Sequence, residues 1–113
     1  MSADASCPAV DNIRDLEAVL GKKDRIIALI HATWCPFCRK AVPAFEALAR
    51  EEERHLLLVA DDEERIADLY GVDFFPTLIL FEKGIVVRRL DAKPGIGLNE
   101  HQIAEFIQSC PLL

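Results

Sequence analysis

Trp34-Cys35-Pro36-Phe37-Cys38 lies between the apolar run Ile26-Ile27-Ala28-Leu29-Ile30 and a set of apolar residues, Ala41, Val42, Phe45, Leu48 and Ala49, at helical spacing. So continuous a run reads as a strand buried on both faces, which puts the two cysteines where a strand feeds a helix. The spacing predicts a helix opening at Pro36, where the missing N–H costs nothing. Cys35 then sits at the cap, against unpaired N–H groups and the positive end of the helix dipole, where a thiolate is stabilised. Cys38 follows on the same side of the turn and deeper in the protein. Cys35 is read as the attacking thiol, and Cys38 as the thiol that closes a redox-active Cys35-Cys38 disulfide. Zinc would need two more ligands. The rest of the chain offers Cys7, Cys110, three histidines and carboxylates without a second CxxC, so no metal is assigned.

With 113 residues, of which 51% are hydrophobic and 28% charged, the chain fits a single domain over residues 1–113, with 1–9 a poorly defined N-terminal segment. Its formal net charge of −6 argues against nucleic acid or an anionic membrane surface as a partner. The N-terminus shows neither the basic nor the apolar region of a secretory signal, and no apolar run reaches the ~18 residues of a membrane span. A cytoplasmic home with reduced thiols is the expectation.

Along the chain, Asp11 or Asn12 caps a first helix through Ile13, Leu16, Val19 and Leu20, with Gly21 marking its end. A charged turn from Lys22 leads into the strand at Ile26. The helix from Pro36 runs to about Arg54, kinked at Pro43, with Glu51 to Arg54 as its solvated end. Leu56–Ala60 is a second buried strand, and Asp61 or Asp62 caps a helix from Glu63 to Tyr70 closed by Gly71. Thr77–Phe81 and Ile85–Leu90 form a hairpin around Lys83-Gly84; Asp91–Leu98 is a loop; Asn99, with Gln102, caps a last helix presenting Ile103, Phe106 and Ile107. The order α, β, α, β, α, β, β, α, with strands parallel across the helical crossovers and a final antiparallel hairpin, predicts an α/β fold: a central mixed β-sheet with helices on both faces.

Over residues 10–109 the chain resembles thioredoxin. Trp34, Cys35 and Cys38 match its Trp-Cys-x-x-Cys motif, Pro43 its helix proline, and Tyr70-Gly71-Val72-Asp73-Phe74-Phe75-Pro76-Thr77 followed by Gly84 its proline strand and hairpin. The resemblance implies a thioredoxin fold and a cis Phe75-Pro76 bond facing the two sulfurs. It also implies a protein thiol-disulfide oxidoreductase in which Cys35 and Cys38 are catalytic and Trp34, Pro36, Phe37, Phe75 and Pro76 meet the substrate. It implies disulfide-containing protein substrates, a thioredoxin-reductase-like or thiol electron donor, no bound cofactor and a monomer.

Departures from the family pattern are as informative. The buried aspartate usual six residues before the first cysteine is Leu29, and Leu57 stands in place of a lysine usual in the next strand. A missing proton relay would slow deprotonation of Cys38. His31 replaces an aromatic residue and is a candidate modulator, as a cation favouring the Cys35 thiolate or as a neutral relay. Pro36-Phe37 replaces Gly-Pro and is similar to glutaredoxins, which leaves a glutathione-coupled activity as one alternative and a metal- or cluster-binding module using the same CxxC as another. A first strand before Asp11 is not evident, and the longer loop Asp91–Leu98 is expected to border the substrate groove. A disulfide between Cys7 and Cys110, near the two termini, is geometrically open, but in a reducing compartment free thiols are the expectation and, if exposed, could link two chains on oxidation.

Overall fold

The computed structural model describes residues 7–50, 52 and 54–111. Nine elements follow one another: β1 (Ala9–Val10), α1 (Ile13–Lys22), β2 (Arg25–His31), α2 (Cys38–Ala49), β3 (Leu56–Ala60), α3 (Arg65–Tyr70), β4 (Thr77–Glu82), β5 (Ile85–Asp91) and α4 (Glu100–Ser109). The strands form one sheet in the order β1-β3-β2-β4-β5. The first strand, not evident from the sequence, is two residues long and pairs parallel with β3, where the N–H of Leu58 also bonds the carbonyl of Pro8. So short a segment carries no periodicity by which it could be recognised.

β2 occupies the centre, parallel to β3 and antiparallel to β4. Its residues Ile26 to Ile30 are all buried, which is why the run lacks polar alternation. Ile26, Ala28 and Ile30 pack with Leu16, Leu20, Ile66 and Ala67 of α1 and α3. Ile27 and Leu29 pack with Ala41, Phe45, Ile103 and Phe106 of α2 and α4. Successive strand residues point to opposite faces, so the mixed sheet carries a helix layer on each side.

One crossover departs from expectation. β4 enters the sheet antiparallel, because α3 has six residues and spans only about 9 Å. It returns the chain to the end where β3 left: Ala60 lies beside His31, and Thr77 beside Ile30.

Several helix ends also differ. α1 runs through Gly21 to Lys22, with Asn12 as its cap accepting from the N–H of Asp15 at 2.8 Å. α2 contains Pro43 and stops at Ala49, short of Arg54. Glu51 and Glu53 lie outside the described residues, and Arg54 is no solvated tail. Its guanidinium donates to Cys110 O at 3.0 Å, to Gln108 O at 3.3 Å and to the Glu52 carboxylate at 2.6 Å. The two bonds to carbonyls hold the chain at the start of β3 against the end of α4. At the opposite end of that helix, the full capping box of Asn99 and Gln102 opens α4 as the sequence predicts. Cys7 and Cys110 are free and both buried, so neither is presented for a link between chains.

Candidate active site

The residues leading into the cysteine turn are placed by the ends of β2 and β3. The strands are parallel and in register at His31 and Ala60, so Thr33 and Asp62 emerge at the same height, two residues beyond. The two aspartates after β3 diverge. Asp61 is buried and accepts from the N–H groups of Ile66 (3.0 Å) and Ala67 (2.7 Å), which makes it the cap of α3. α3 therefore opens at Arg65, two residues later than the sequence suggests, after Glu64 at φ 62°. Asp62 reaches the other way: one oxygen accepts from Thr33 N (2.7 Å), the other from Thr33 Oγ1 (2.6 Å), and its carbonyl accepts from Trp34 Nε1 (3.0 Å). The bonds from the Thr33 hydroxyl and then its N–H hold the Asp62 carboxyl below its ordinary range. This clamp on the residues before Cys35 was not read from the sequence. Its only signal is the parallel register, which pairing alone reveals.

The cysteine turn is tighter than predicted. Cys38 N bonds Cys35 O at 3.2 Å and Arg39 N bonds Pro36 O at 3.2 Å, so Cys35 to Phe37 form a turn of i→i+3 bonds. α2 begins at Cys38 rather than Pro36, with Phe37 at the cap position and no side-chain cap bond. Two of the N–H groups at this helix start, those of Cys38 and Arg39, are thus taken by the carbonyls of the turn itself.

Both thiols are free and nearly inaccessible, 5% for Cys35 and 2% for Cys38. Burial pushes the Cys38 thiol well above the ordinary thiol range; a backbone hydrogen bond with Ala32 opposes this and the neighbouring Cys35 thiol adds to it. No carboxylate compensates. Leu29 is fully buried, and its neighbours across the sheet are Leu58 and Leu78. Leu57, the expected counterpart of the lysine, pairs with Ala28 and belongs to the opposite face; Leu58 is the residue beside Leu29, and it is equally apolar.

Facing the turn is the entry to β4. Cys35 Sγ lies 3.8 Å from the carbonyl oxygen of Phe75, the Phe75-Pro76 peptide bond is cis, and Trp34 meets Phe75 edge-on at 5.7 Å between ring centroids. Trp34 is 52% exposed and Phe37 38%; Pro36 is exposed too, whereas Phe75 and Pro76 are buried. Residues 40 positions apart in the chain, Cys35 and Phe75, are thus brought together with Trp34, Pro36, Phe37, Cys38 and Pro76 around one sulfur.

His31 is half-buried at the end of β2. Burial lowers its pKa, with Asp62 and then Glu46 opposing, which favours the neutral ring over the cation.

The family model described as Thioredoxin matches residues 10–109. The chain belongs to the thioredoxin family. A thioredoxin of Echinococcus granulosus is 32% identical over 111 residues, covering 96% of this chain and 98% of that protein. The X-ray structure of Fasciola hepatica thioredoxin superposes with a TM-score of 0.75 at 30% identity, covering 89% of this chain and 96% of that one. Protein disulfide-isomerase A5 of Mus musculus is 26% identical over 106 residues, covering 88% of this chain and 20% of that protein. These relatives are thiol-disulfide oxidoreductases, and the CxxC spacing of Cys35 and Cys38 fits that class. Among the described residues no helix is long and apolar enough to cross a membrane.

Proposed function

We propose that this chain reduces disulfides in other proteins through the Cys35-Cys38 dithiol. The observation that carries the reading is Cys35 Sγ at 3.8 Å from the Phe75 carbonyl, beneath an apolar rim. An extended substrate segment would lie along the Phe75 and Pro76 backbone with its sulfur over Cys35, flanked by Trp34, Pro36 and Phe37.

The Cys35 thiolate attacks one substrate sulfur; a Cys35–substrate disulfide forms, and the other substrate sulfur leaves as a thiolate and takes a proton. Cys38 then loses its proton and attacks Cys35 Sγ, which closes the Cys35-Cys38 disulfide and releases the second substrate thiolate. Two electrons have passed to the substrate. A thioredoxin-reductase-like enzyme or a low-molecular-weight thiol of the cytoplasm would restore the dithiol, the protein working as a monomer without a bound cofactor. His31 would act, if at all, as a neutral proton carrier.

Reduction of a protein disulfide with dithiothreitol as electron source tests this. The wild type should turn over without glutathione, Cys35→Ser should be inactive, and Cys38→Ser should accumulate a mixed disulfide with its substrate. An active Cys35→Ser variant would refute the assignment, and a strict need for glutathione would move the activity to the glutaredoxin type.

A further inference from the structure

At the end of the sheet where β2 and β3 begin, opposite the cysteine turn, a cavity of about 330 Å³ opens between the two helix layers. We propose that this cavity binds a small amphipathic carboxylate, whose apolar body enters it and whose head meets a cationic rim. The inference is independent of the oxidoreductase reading, since neither Cys35 nor Cys38 lines the cavity.

The gap follows from where the helices end. α1 stops at Lys22 and α2 at Ala49, while the strands beneath them begin at Arg25 and Leu56. Ile26 and Leu57, with Val19 of α1, make the wall on the α1 side. Leu56 and Ala49 make the wall on the α2 side. Ile26, Leu56 and Leu57 are buried members of the two core clusters, so the depth of the cavity offers aliphatic surface.

The rim is of one sign. Lys22 and Lys23 at the end of α1, Arg50 just past α2 and Arg54 ahead of β3 border the cavity, and among the described residues no carboxylate does. A chain with 19 Asp and Glu against 13 Lys and Arg would place acids on such a rim at least as often as bases. Arg54 is already neutralised by the Glu52 carboxylate. Lys22 and Arg50 also have a local reason to be there, because a cation offsets the dipole at a helix C-terminus. That reason does not exhaust the charge. Lys22, Lys23 and Arg50 form no ion pair among the described residues. Their three charges, set against about half a negative unit from each of the two helix ends, leave a surplus of about two positive units over an apolar floor.

The chemistry of the occupant follows from the combination. Exposed cations hold a bare anion weakly in salt, and apolar surface alone does not select a charge. Together they select an anion with an apolar body. A volume of about 330 Å³ is at the small end of ligand pockets, which run from about 300 to 1,000 Å³. It suits a medium-chain or aryl-substituted carboxylate and is too small for a nucleotide or a whole lipid.

The test titrates the full chain with octanoate at low salt, following backbone amide shifts by NMR and affinity by calorimetry. Acetate, octanol and octylammonium serve as controls. Octanoate should shift the amides of Lys23, Ile26, Arg50 and Leu57 and leave those of Cys35, Cys38 and Phe75 in place. Octylammonium, with the wrong charge, and acetate, without the body, should each bind at least tenfold more weakly. Lys23→Gln combined with Arg50→Gln should weaken octanoate about tenfold, two exposed charge contacts together being worth about one decade of affinity. Octanol binding should be unchanged in that variant. Both side chains are exposed, so the variant keeps its fold, which an unchanged urea midpoint verifies. Octanoate that shifts no cavity amide would overturn the site. So would an affinity indifferent to the sign of the head group or to the two substitutions. None of these results bears on the disulfide chemistry, which is measured at the other end of the sheet.

Discussion

Raising the pH from 7 to 9 should accelerate the second half of the reaction, attack by Cys38 on the mixed disulfide, by about a hundredfold. The reasoning is structural: Cys38 is 2% exposed, its thiol is raised by burial, and the buried cluster it belongs to is apolar, with Ala28, Ile30 and Leu57 among its members. No neighbouring carboxylate takes its proton, so the reactive fraction is set by solvent pH. Far below its pKa, the thiolate population of a group grows tenfold per pH unit, which is 1.36 kcal/mol of reduced cost per unit. The assay mixes the protein with a nitrobenzoate disulfide by stopped flow, in a Cys7→Ala, Cys110→Ala background. The first nitrobenzoate thiolate reports attack by Cys35 and the second reports closure by Cys38. The rate of the second phase should climb log-linearly with a slope near one across the whole range. A rate that bends away from this line between pH 8 and 9 would mean that Cys38 titrates as an ordinary exposed thiol, near about 8.5, and the burial argument would be wrong.

Three further outcomes follow from separate parts of the fold. Asp61→Ala should destabilise the protein by about 3 kcal/mol in urea unfolding, because two bonds from buried N–H groups to a charged acceptor are lost at about 1.5 kcal/mol or more each; Asp61→Asn, which keeps one acceptor, should cost less. Gly97→Ala should cost more than Gly95→Ala in the same assay: both have φ near +75°, worth about 1–2 kcal/mol for a side chain, but only at Gly97 does the new Cβ meet Phe37. Stability should fall as pH drops below about 6.5 through His31. Its folded pKa lies below the unfolded value, so in that window the unfolded chain binds the extra proton and gains population; His31→Phe should remove this part of the pH dependence.

The sheet's centre was legible because β2 and β3 are uninterrupted apolar runs, a pattern that burial on both faces imposes. α4 was legible because its cap is made by residues three apart, Asn99 and Gln102. The two-residue β1, the direction of β4 and the true starts of α2 and α3 were not. The first two depend on hydrogen bonds between segments distant in sequence, Leu58 with Pro8 and Thr77 against Ile30, and the start of α3 on which of two adjacent aspartates turns back to it, Asp61 accepting from Ile66 and Ala67. The turn at Cys35 to Phe37 is set by local i→i+3 bonds that the predicted Pro36 helix start does not anticipate.

At the site, the sequence alone determined the chemistry, since two thiols in one turn after a buried strand permit disulfide exchange by their spacing, and Leu29 in place of an acid is visible by inspection. Tertiary structure decided the surroundings of that chemistry. The Thr33–Asp62 clamp, the Phe75 carbonyl over Cys35 and the loop glycine pressed on Phe37 join residues 29, 40 and 60 positions apart. Such contacts exist only once the sheet register has set the ends of β2, β3 and β4 side by side, and that register is chosen by the summed burial of both faces rather than by any one stretch of chain.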